Sequence, residues 1–362
     1  MKKKLIMFFF VFFIIVLIIS CNKEPIKVGV ITALSGKSSS SGKSLINALN
    51  LFIKENNLRN ELEIIPSDDS WDNNNMEKAY TFLKNKKIKY IIFGTTSTSF
   101  NKVYRKLKED NILGLVISAT APKFKNENDR VIRTIQDTEK EQKSIAEFLN
   151  SRKIDDLYII LDVSNPEYTK IALQYFSTYF KGKINVLSVN FKEENYLDII
   201  KNNYNQKYQN VYIIAGLIGE TGLTIQQLKT INKNVNIILV PWTRSKGLEI
   251  STGTYLNNVI LPSHYPFNYS NNFKDFYDKY YKEYHEDPAL HSYLGYEIIQ
   301  IFYEAYKKSN KSPEKIEKFI TNNTFKTIFG TIKFDKYGET DKHMYFGIYK
   351  NNKWIDITNI LR

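Results

Sequence analysis

Short, nearly unbroken runs of Ile, Val and Leu recur along this chain, each followed by a stretch of helical periodicity. IKVGVIT (26–32), LEIIPS (62–67), YIIFG (90–94) and LGLVISA (113–119) alternate with amphipathic segments around 43–57, 75–86 and 99–110. A strand buried on both faces reads as a continuous apolar run, which is the pattern of a parallel sheet covered by helices. Strand–helix alternation then implies right-handed crossovers and a doubly wound α/β sheet. A second series repeats the pattern. DLYIILD (156–162), INVLSVNF (184–191), NVYIIAG (210–216) and NIILVPW (236–242) alternate with helical stretches near 139–150, 167–180, 195–205 and 220–231.

Two sheets of similar size fit a chain of 362 residues. The segment between them, RVIRTIQDT (130–138), is extended and β-branched rather than rich in Gly and Ser. The chain then returns. NNVILPSHYPF (257–267) reads as a strand running into a bend, followed by long helical patterns at 272–285 and 289–308. GTIKFDKYGE and a closing hairpin, MYFGIYKNNKWID, complete the chain, with the turn at Lys350-Asn351-Asn352. Several chain crossings imply a stiff hinge between two lobes.

The first loop invites a nucleotide reading, because LSGKSSSSGKSLINALNLF (34–52) follows a strand and precedes a helix. A P-loop is G-x-x-x-x-G-K-[ST], and its length sets the backbone N–H groups around the phosphates. Gly36 and Gly42 are separated by five residues, not four. No later strand offers a clear Mg²⁺-holding aspartate. The loop instead reads as a Ser/Gly turn at the carboxyl end of a strand, where open α/β sheets bind ligands.

Lys2, Lys3 and Lys4 precede an apolar run, Leu5 to Ile19, that is short for a bilayer core of about 30 Å. It ends at Ile18-Ile19-Ser20-Cys21, which resembles a bacterial lipobox. That resemblance implies removal of residues 1–20 as a signal peptide and lipid on the Cys21 thiol; an uncleaved signal anchor is the other reading. Cys21 is the single cysteine, so no internal disulfide forms. The net charge of +13 is spread among interleaved acidic residues. That favours a solvated surface over a nucleic-acid site.

These segments together resemble the type I periplasmic solute-binding proteins of the leucine/isoleucine/valine-binding group. IKVGVITALSG is similar to the opening strand and loop, SDDSWDNNNMEKAYTFL to the second strand with its acidic loop, and AYTFLKNKKIKYIIFGTTSTS to the next helix and Ser/Thr-rich loop. ILGLVISATAPKF with RVIRTIQDT resembles the fourth strand and first crossover, while HSYLGYEIIQIFYEAY and FGTIKFDKYGE resemble the return. The resemblance spans the chain in order. It implies two Rossmann-like lobes joined by three crossovers, with a ligand cleft between them. Lobe I is then expected at 24–136 plus 264–338 and lobe II at 137–263 plus 339–362. It implies a monomer with no cofactor and no chemistry on its ligand, a small amino acid or related polar or carboxylate solute. Its partner would be the membrane permease of an ABC importer, at the extracytoplasmic face.

By that resemblance Ser97 presents a hydroxyl to a ligand carboxylate at a helix start, where it equally suits an N-cap. Ser118 (through its carbonyl) and Thr120 (through hydroxyl and N–H) contact an amino-acid head group, or form a turn before Pro122. Tyr168 closes over the ligand, against a background of 25 tyrosines. The departures lie elsewhere. Where branched-chain amino-acid binders carry an acid for the ligand's ammonium, this chain has Trp242, followed by Thr243 and Arg244. A buried ammonium without a carboxylate is costly. An aromatic face holds a cation at about 0.5–2 kcal/mol, and Glu220 in LIGETG is another source of charge, at a helix start that favours an acid anyway. Ser41 stands where an aromatic residue is frequent, and Leu217 and Ile218 where tyrosine is common. An α-amino acid ligand is therefore not secured.

Other chemistry fails on spacing. Asp68-x-Ser70-x-Asp72 begins like a calcium loop, but Asn73 replaces the Gly and Ala79 the bidentate Glu. HEDPALH has Ala289 where H-E-x-x-H needs its second histidine, and no G-x-S-x-G elbow occurs. No metal site is expected. A solute-binding lipoprotein is the leading reading. A ligand-sensing lipoprotein of the same fold and an NTPase or hydrolase using the first loop are the alternatives.

Overall fold

The computed structural model describes residues 24–359 except 37, 269 and 270, so the apolar leader and Cys21 lie outside the described residues. The first series contains β1 (Ile26–Thr32), α1 (Ser39–Glu55), β2 (Leu62–Asp68), α2 (Asn73–Asn85), β3 (Tyr90–Gly94), α3 (Ser97–Phe100), α4 (Lys106–Glu109), β4 (Leu113–Val116) and β5 (Val131–Arg133). Its strands form one parallel sheet in the order β2-β1-β3-β4-β5. The second series contains α5 (Thr138–Ser151), β6 (Asp156–Asp162), α6 (Pro166–Tyr179), β7 (Lys183–Val189), α7 (Tyr196–Asn203), β8 (Asn210–Ile214), α8 (Ile218–Ile231), β9 (Asn236–Ile238), α9 (Lys246–Thr252) and β10 (Val259–Ser263). The return adds α10 (Asn271–Tyr284), α11 (Leu290–Lys308), α12 (Pro313–Asn322), β11 (Thr324–Thr327), β12 (Gly330–Lys333), β13 (Tyr345–Lys350) and β14 (Lys353–Asp356). The second sheet runs β14-β13-β10-β9-β8-β6-β7, with β13 and β14 antiparallel.

Continuous apolar strands bury both faces, as their sequence requires. In the first sheet Val28, Val30, Ile92 and Leu115 join a core with Leu45 and Leu49 of α1 and Leu294 and Ile298 of α11. Ile31, Ile91, Phe93 and Val116 join the opposite core with Met76 and Leu83 of α2 and Phe100. In the second sheet Ile160, Val211 and Ile213 meet Ile200, Ile225 and Leu228 on one side, while Ile159, Tyr212 and Ile214 meet Ile145, Leu149 and Phe176 on the other. The chain passes between the lobes three times, after β5, β10 and β12. Arg133, at the end of β5, is buried between Asp129 (2.7 Å) and Glu339 of the third crossover. It thereby ties two crossovers together. Burial pushes the Glu339 carboxyl up to about 7 despite the adjacent guanidinium.

The expected helix at 99–110 forms as α3 and α4, because the intervening turns tighten to bonds such as Val103 N to Phe100 O and Lys106 N to Val103 O. Its periodicity survives, since Phe100, Val103, Tyr104 and Leu107 all face the core. β4 ends at Val116 rather than 119, and the helices α9 and α12 have no counterpart in the sequence reading. In the closing hairpin Lys350 pairs with Lys353, and Asn351 and Asn352 take φ of 52° and 58°, the left-handed pair a two-residue turn needs.

The first loop settles the nucleotide question. α1 already begins at Ser39, so Gly42, Lys43 and Ser44 lie inside a helix rather than in a phosphate-cradling loop. A Cβ on Gly42 would fall 1.8 Å from the Ala33 carbonyl oxygen. The glycine therefore serves close helix–strand approach, and the Lys43 side chain is 69% exposed.

Candidate functional site

The carboxyl ends of the strands in both sheets meet at the seam between the lobes, which encloses a cavity of about 70 Å³. From the first lobe Ser41, Trp71, Ser97, Ser118 and His291 line it; from the second, Tyr168, Trp242 and Arg244. Two wider pockets, about 390 and 500 Å³, adjoin it and share Trp71 and Gly216 with it.

The end of β2 presents Trp71. Ser70 and Trp71 both have left-handed backbone, φ 50° and 51°, a conformation that is rare for a bulky residue. The two preceding aspartates hold it there: Ser70 N donates to Asp68 Oδ1 (2.8 Å) and Trp71 N to Asp69 Oδ1 (3.1 Å). The indole Nε1 then donates to the Gly94 carbonyl at 2.9 Å, which locks the ring at the cavity wall. Asp69 also accepts from the Thr95 hydroxyl. Burial pushes its carboxyl up to about 6, although these bonds hold it back.

Ser97 is placed as expected but is not the helix cap. Thr96 takes that role, its Oγ1 accepting from Ser99 N at 3.2 Å, and α3 has only four residues. Ser97 Oγ accepts from the backbone N–H groups of Thr120 and Ala121, each at 3.1 Å. Its lone pairs are therefore engaged, and its own proton is the group left for the cavity. Ser118 Oγ donates to the Thr95 carbonyl (2.9 Å). Thr120 does not line the cavity. Its N–H goes to Ser97, its hydroxyl accepts from Thr138 Oγ1 (3.1 Å), and its carbonyl accepts from Thr138 N. It joins the loop after β4 to the start of α5 across the first crossover. Leu217 likewise lies outside the inner cavity; it borders the wider pockets, while its neighbours Gly216 and Ile218 reach the inner wall. Glu220 also borders an outer pocket only.

In the second lobe the Tyr168 hydroxyl donates to Glu141 Oε1 at 2.7 Å. Burial first, and the Glu141 carboxylate next, push its phenol far above the usual range. Trp242 stands edge-on to Tyr168 (6.2 Å, 88°) and tilted against His264 (5.3 Å). Its buried Nε1 is near enough to the Tyr168 hydroxyl to favour a phenolate slightly, yet it makes no hydrogen bond of ordinary geometry among the described residues. Arg244 is 7% exposed. Its Nη1 donates to Ser263 Oγ and the Tyr265 carbonyl, both 2.6 Å, and its Nη2 to the Pro266 carbonyl at 3.1 Å. The guanidinium lies between the rings of Tyr265 (3.7 Å) and Phe267 (3.9 Å). No carboxylate pairs with it among the described residues. His291, on the first lobe, is tilted at 42° against Trp71 at 5.7 Å, and its buried Nε2 has no partner among the described residues. Burial lowers it to about 4, so it is neutral near pH 7.

The seam is closed. Thr98 donates to Asn165 across it (2.9 Å), and Lys123 meets Glu167 at 2.6 Å. Five of the seven expected ligand residues thus converge: Ser41, Ser97, Ser118, Tyr168 and Trp242. Trp71, Arg244 and His291 join them without having been expected. The acidic S-D-D-S-W-D string was a usable signal for the first of these. Among the described residues no cluster of His, Cys, Asp and Glu could hold a metal ion, and no helix is long and apolar enough to cross a membrane.

Solved structures with the same fold include a Rhodopseudomonas palustris ABC-transporter solute-binding protein in complex with 3,4-dihydroxybenzoic acid. It has TM-score 0.82 and 19% identity, covering 93% of this chain and 97% of that one. A leucine-binding protein of Thermotoga maritima has TM-score 0.82 and 19% identity, with 91% and 97% covered. The branched-chain amino acid binding protein LivJ of Streptococcus pneumoniae, in complex with isoleucine, has TM-score 0.80 and 17% identity, with 92% and 99% covered. No curated protein matches the chain in sequence. The family model described as periplasmic binding protein matches residues 25–353, nearly all of the two-lobed structure, and the chain belongs to that family.

Proposed function

We propose that this protein captures a small solute by closing its lobes over the central cavity and delivers it to the permease of an ABC importer. In this reading a lipid on Cys21 tethers it to the extracytoplasmic face of the membrane, and the ligand leaves chemically unchanged. Lobe I comprises 24–136 plus 264–338, and lobe II 137–263 plus 339–362. One observation supports the reading above the others. Buried polar groups are nearly always partnered, yet Trp242 Nε1 from one lobe and His291 Nε2 from the other are unpartnered at the same cavity. A solute that met both would favour the closed form by its differential affinity.

The test is calorimetric titration of the chain without its leader against amino acids, small carboxylates, sugars and nucleosides, with small-angle scattering on any solute that binds. One-to-one binding with compaction is expected. A chain that binds nothing, or that binds without compaction, refutes capture by closure.

A further inference from the structure

We infer that the ligand is a small, flat, apolar monocarboxylate lacking an ammonium group, an arenecarboxylate rather than an α-amino acid. The inference rests on the cavity being the solute site and adds the chemistry of the solute.

Charge is the first argument. Arg244 is the one cation that lines the inner cavity, and no Asp or Glu lines it among the described residues. A buried guanidinium without a counter-ion leaves a positive potential that an anion relieves and an ammonium aggravates. The nearby carboxylates are committed elsewhere. Asp69 lies behind Thr95 and accepts its hydroxyl; Glu141 lies behind Tyr168, its Oε1 accepting from Tyr168 and Gln142 and its Oε2 facing His264 Nε2 at 3.3 Å. At the mouth, Glu286 faces Lys43 (3.6 Å) and Asn47 (2.9 Å), and Asp287 accepts from Tyr277. The ammonium of an α-amino acid sits one carbon from its carboxylate, so it cannot reach outward while the acid stays inside.

Hydrogen-bond polarity is the second. An indole N–H and a guanidinium donate only. Ser97, with both backbone N–H groups on its oxygen, has its proton left to give. Trp242 and Ser97 therefore each have a proton for an acceptor, and Arg244 offers its charge, with three of its Nη protons already given to Ser263, Tyr265 and Pro266. The walls are the third argument. Trp71 on one lobe, and Trp242 with Tyr168 on the other, provide aromatic surface on both sides of a small cavity, which suits a flat apolar skeleton.

The test uses matched pairs titrated into the chain without its leader: isoleucine against 3-methylpentanoate, phenylalanine against 3-phenylpropanoate, and benzoate against benzamide and benzylamine. Benzoate should bind, about tenfold or more tighter than benzamide, the range expected for hydrogen bonds to a charged group. Each amino acid should bind at least about a hundredfold more weakly than its deaminated partner, for want of a counter-ion. Trp242→Phe keeps a smaller aromatic face and removes the pyrrole ring with its N–H, and should weaken benzoate severalfold. Arg244→Gln should shrink the benzoate–benzamide gap. Because Arg244 also holds the second crossover, a melting curve must accompany that variant, and the Trp242→Phe result stands if it fails to fold. An amino acid that outbinds its deaminated partner, or a sugar or nucleoside that binds where no acid does, overturns the inference and leaves solute capture standing. A chain that binds nothing overturns both.

Discussion

Replacing Ser97 by alanine should destabilise the ligand-free protein, not only weaken its ligand. Ser97 is 2% exposed, and its oxygen is the acceptor for two buried backbone N–H groups, those of Thr120 and Ala121. An orphaned buried donor costs about 1–3 kcal/mol. Two of them, with some relaxation of the loop, give about 2–4 kcal/mol. For a lobe of this size, about 2–4 °C of melting temperature follows each kcal/mol, so the midpoint should fall by roughly 5–15 °C. Differential scanning calorimetry without ligand measures this directly. Thr120→Ala is the contrast. It leaves its N–H on Ser97 and loses only the contact with Thr138, about 0.5–1.5 kcal/mol, and because Thr120 does not line the cavity its affinity should match wild type. A ligand-free midpoint for Ser97→Ala within about 2 °C of wild type would refute the reasoning, since the two N–H groups would then have found other acceptors.

Gly42→Ala should cost about 1–3 kcal/mol or more, because its new methyl must push α1 away from the Ala33 carbonyl; chemical denaturation checks it, and wild-type stability would contradict the packing. Asp69 has a folded pKa of about 6, above its ordinary 3.8, so the folded state holds the extra proton and stability from this group is lost as pH rises from about 4 to 6. The stability of Asp69→Asn relative to wild type should therefore improve across that window by up to about 3 kcal/mol, a difference that sets aside the opposite slope from His291, whose pKa falls to about 4; a flat difference would count against it. Cys21→Ser should abolish lipid attachment and leave binding by the lobes unchanged, checked by labelling with a radioactive fatty acid; a variant that is still labelled refutes the lipobox reading.

Much of the fold was legible because buried parallel strands leave continuous apolar runs. β1 occupies the expected residues 26–32, and β3 the expected 90–94. The helix at 99–110 kept its apolar spacing, but spacing cannot distinguish i→i+4 from i→i+3 bonding, so its break was invisible. Ser97, Ser118 and Trp242 reach the cavity because the turns after strands face the cleft in this architecture, and Ser41 and Tyr168 because the first turns of α1 and α6 lie there too. Thr120 sits after a strand too, yet the crossover turns its hydroxyl toward Thr138. Trp71 reaches the cavity only because two aspartates hold a left-handed backbone, and composition does not announce that. His291 reads in sequence as the end of a failed zinc motif. Arg244 was seen beside Trp242, but its surroundings come from residues up to 23 positions away.

Those surroundings place the Arg244 guanidinium at the hinge. Tyr265 packs in the core of the first lobe and Phe267 in a core of the second, and Arg244 lies between their rings. Both residues belong to the second crossover, whose carbonyls at Tyr265 and Pro266 also receive the guanidinium. Trp242 rests on His264 of the same segment. The second-lobe wall of the cavity is therefore supported by the chain that must bend when the lobes part. The first-lobe wall differs: the polar atoms of Trp71, Ser118 and Ser97 are bonded to their own lobe's backbone. The first-lobe wall is thus tied to its own lobe, as is Tyr168 of the second through Glu141, while Trp242 and Arg244 rest on the crossover. On the inference drawn above, an anion that compensated Arg244 would act where the two lobe cores touch the crossover, and binding and closure would draw on the same contacts. A neutral solute of the same shape would fill the cavity without acting on that guanidinium, and the charge of the ligand would then decide how far the equilibrium moves toward the closed form.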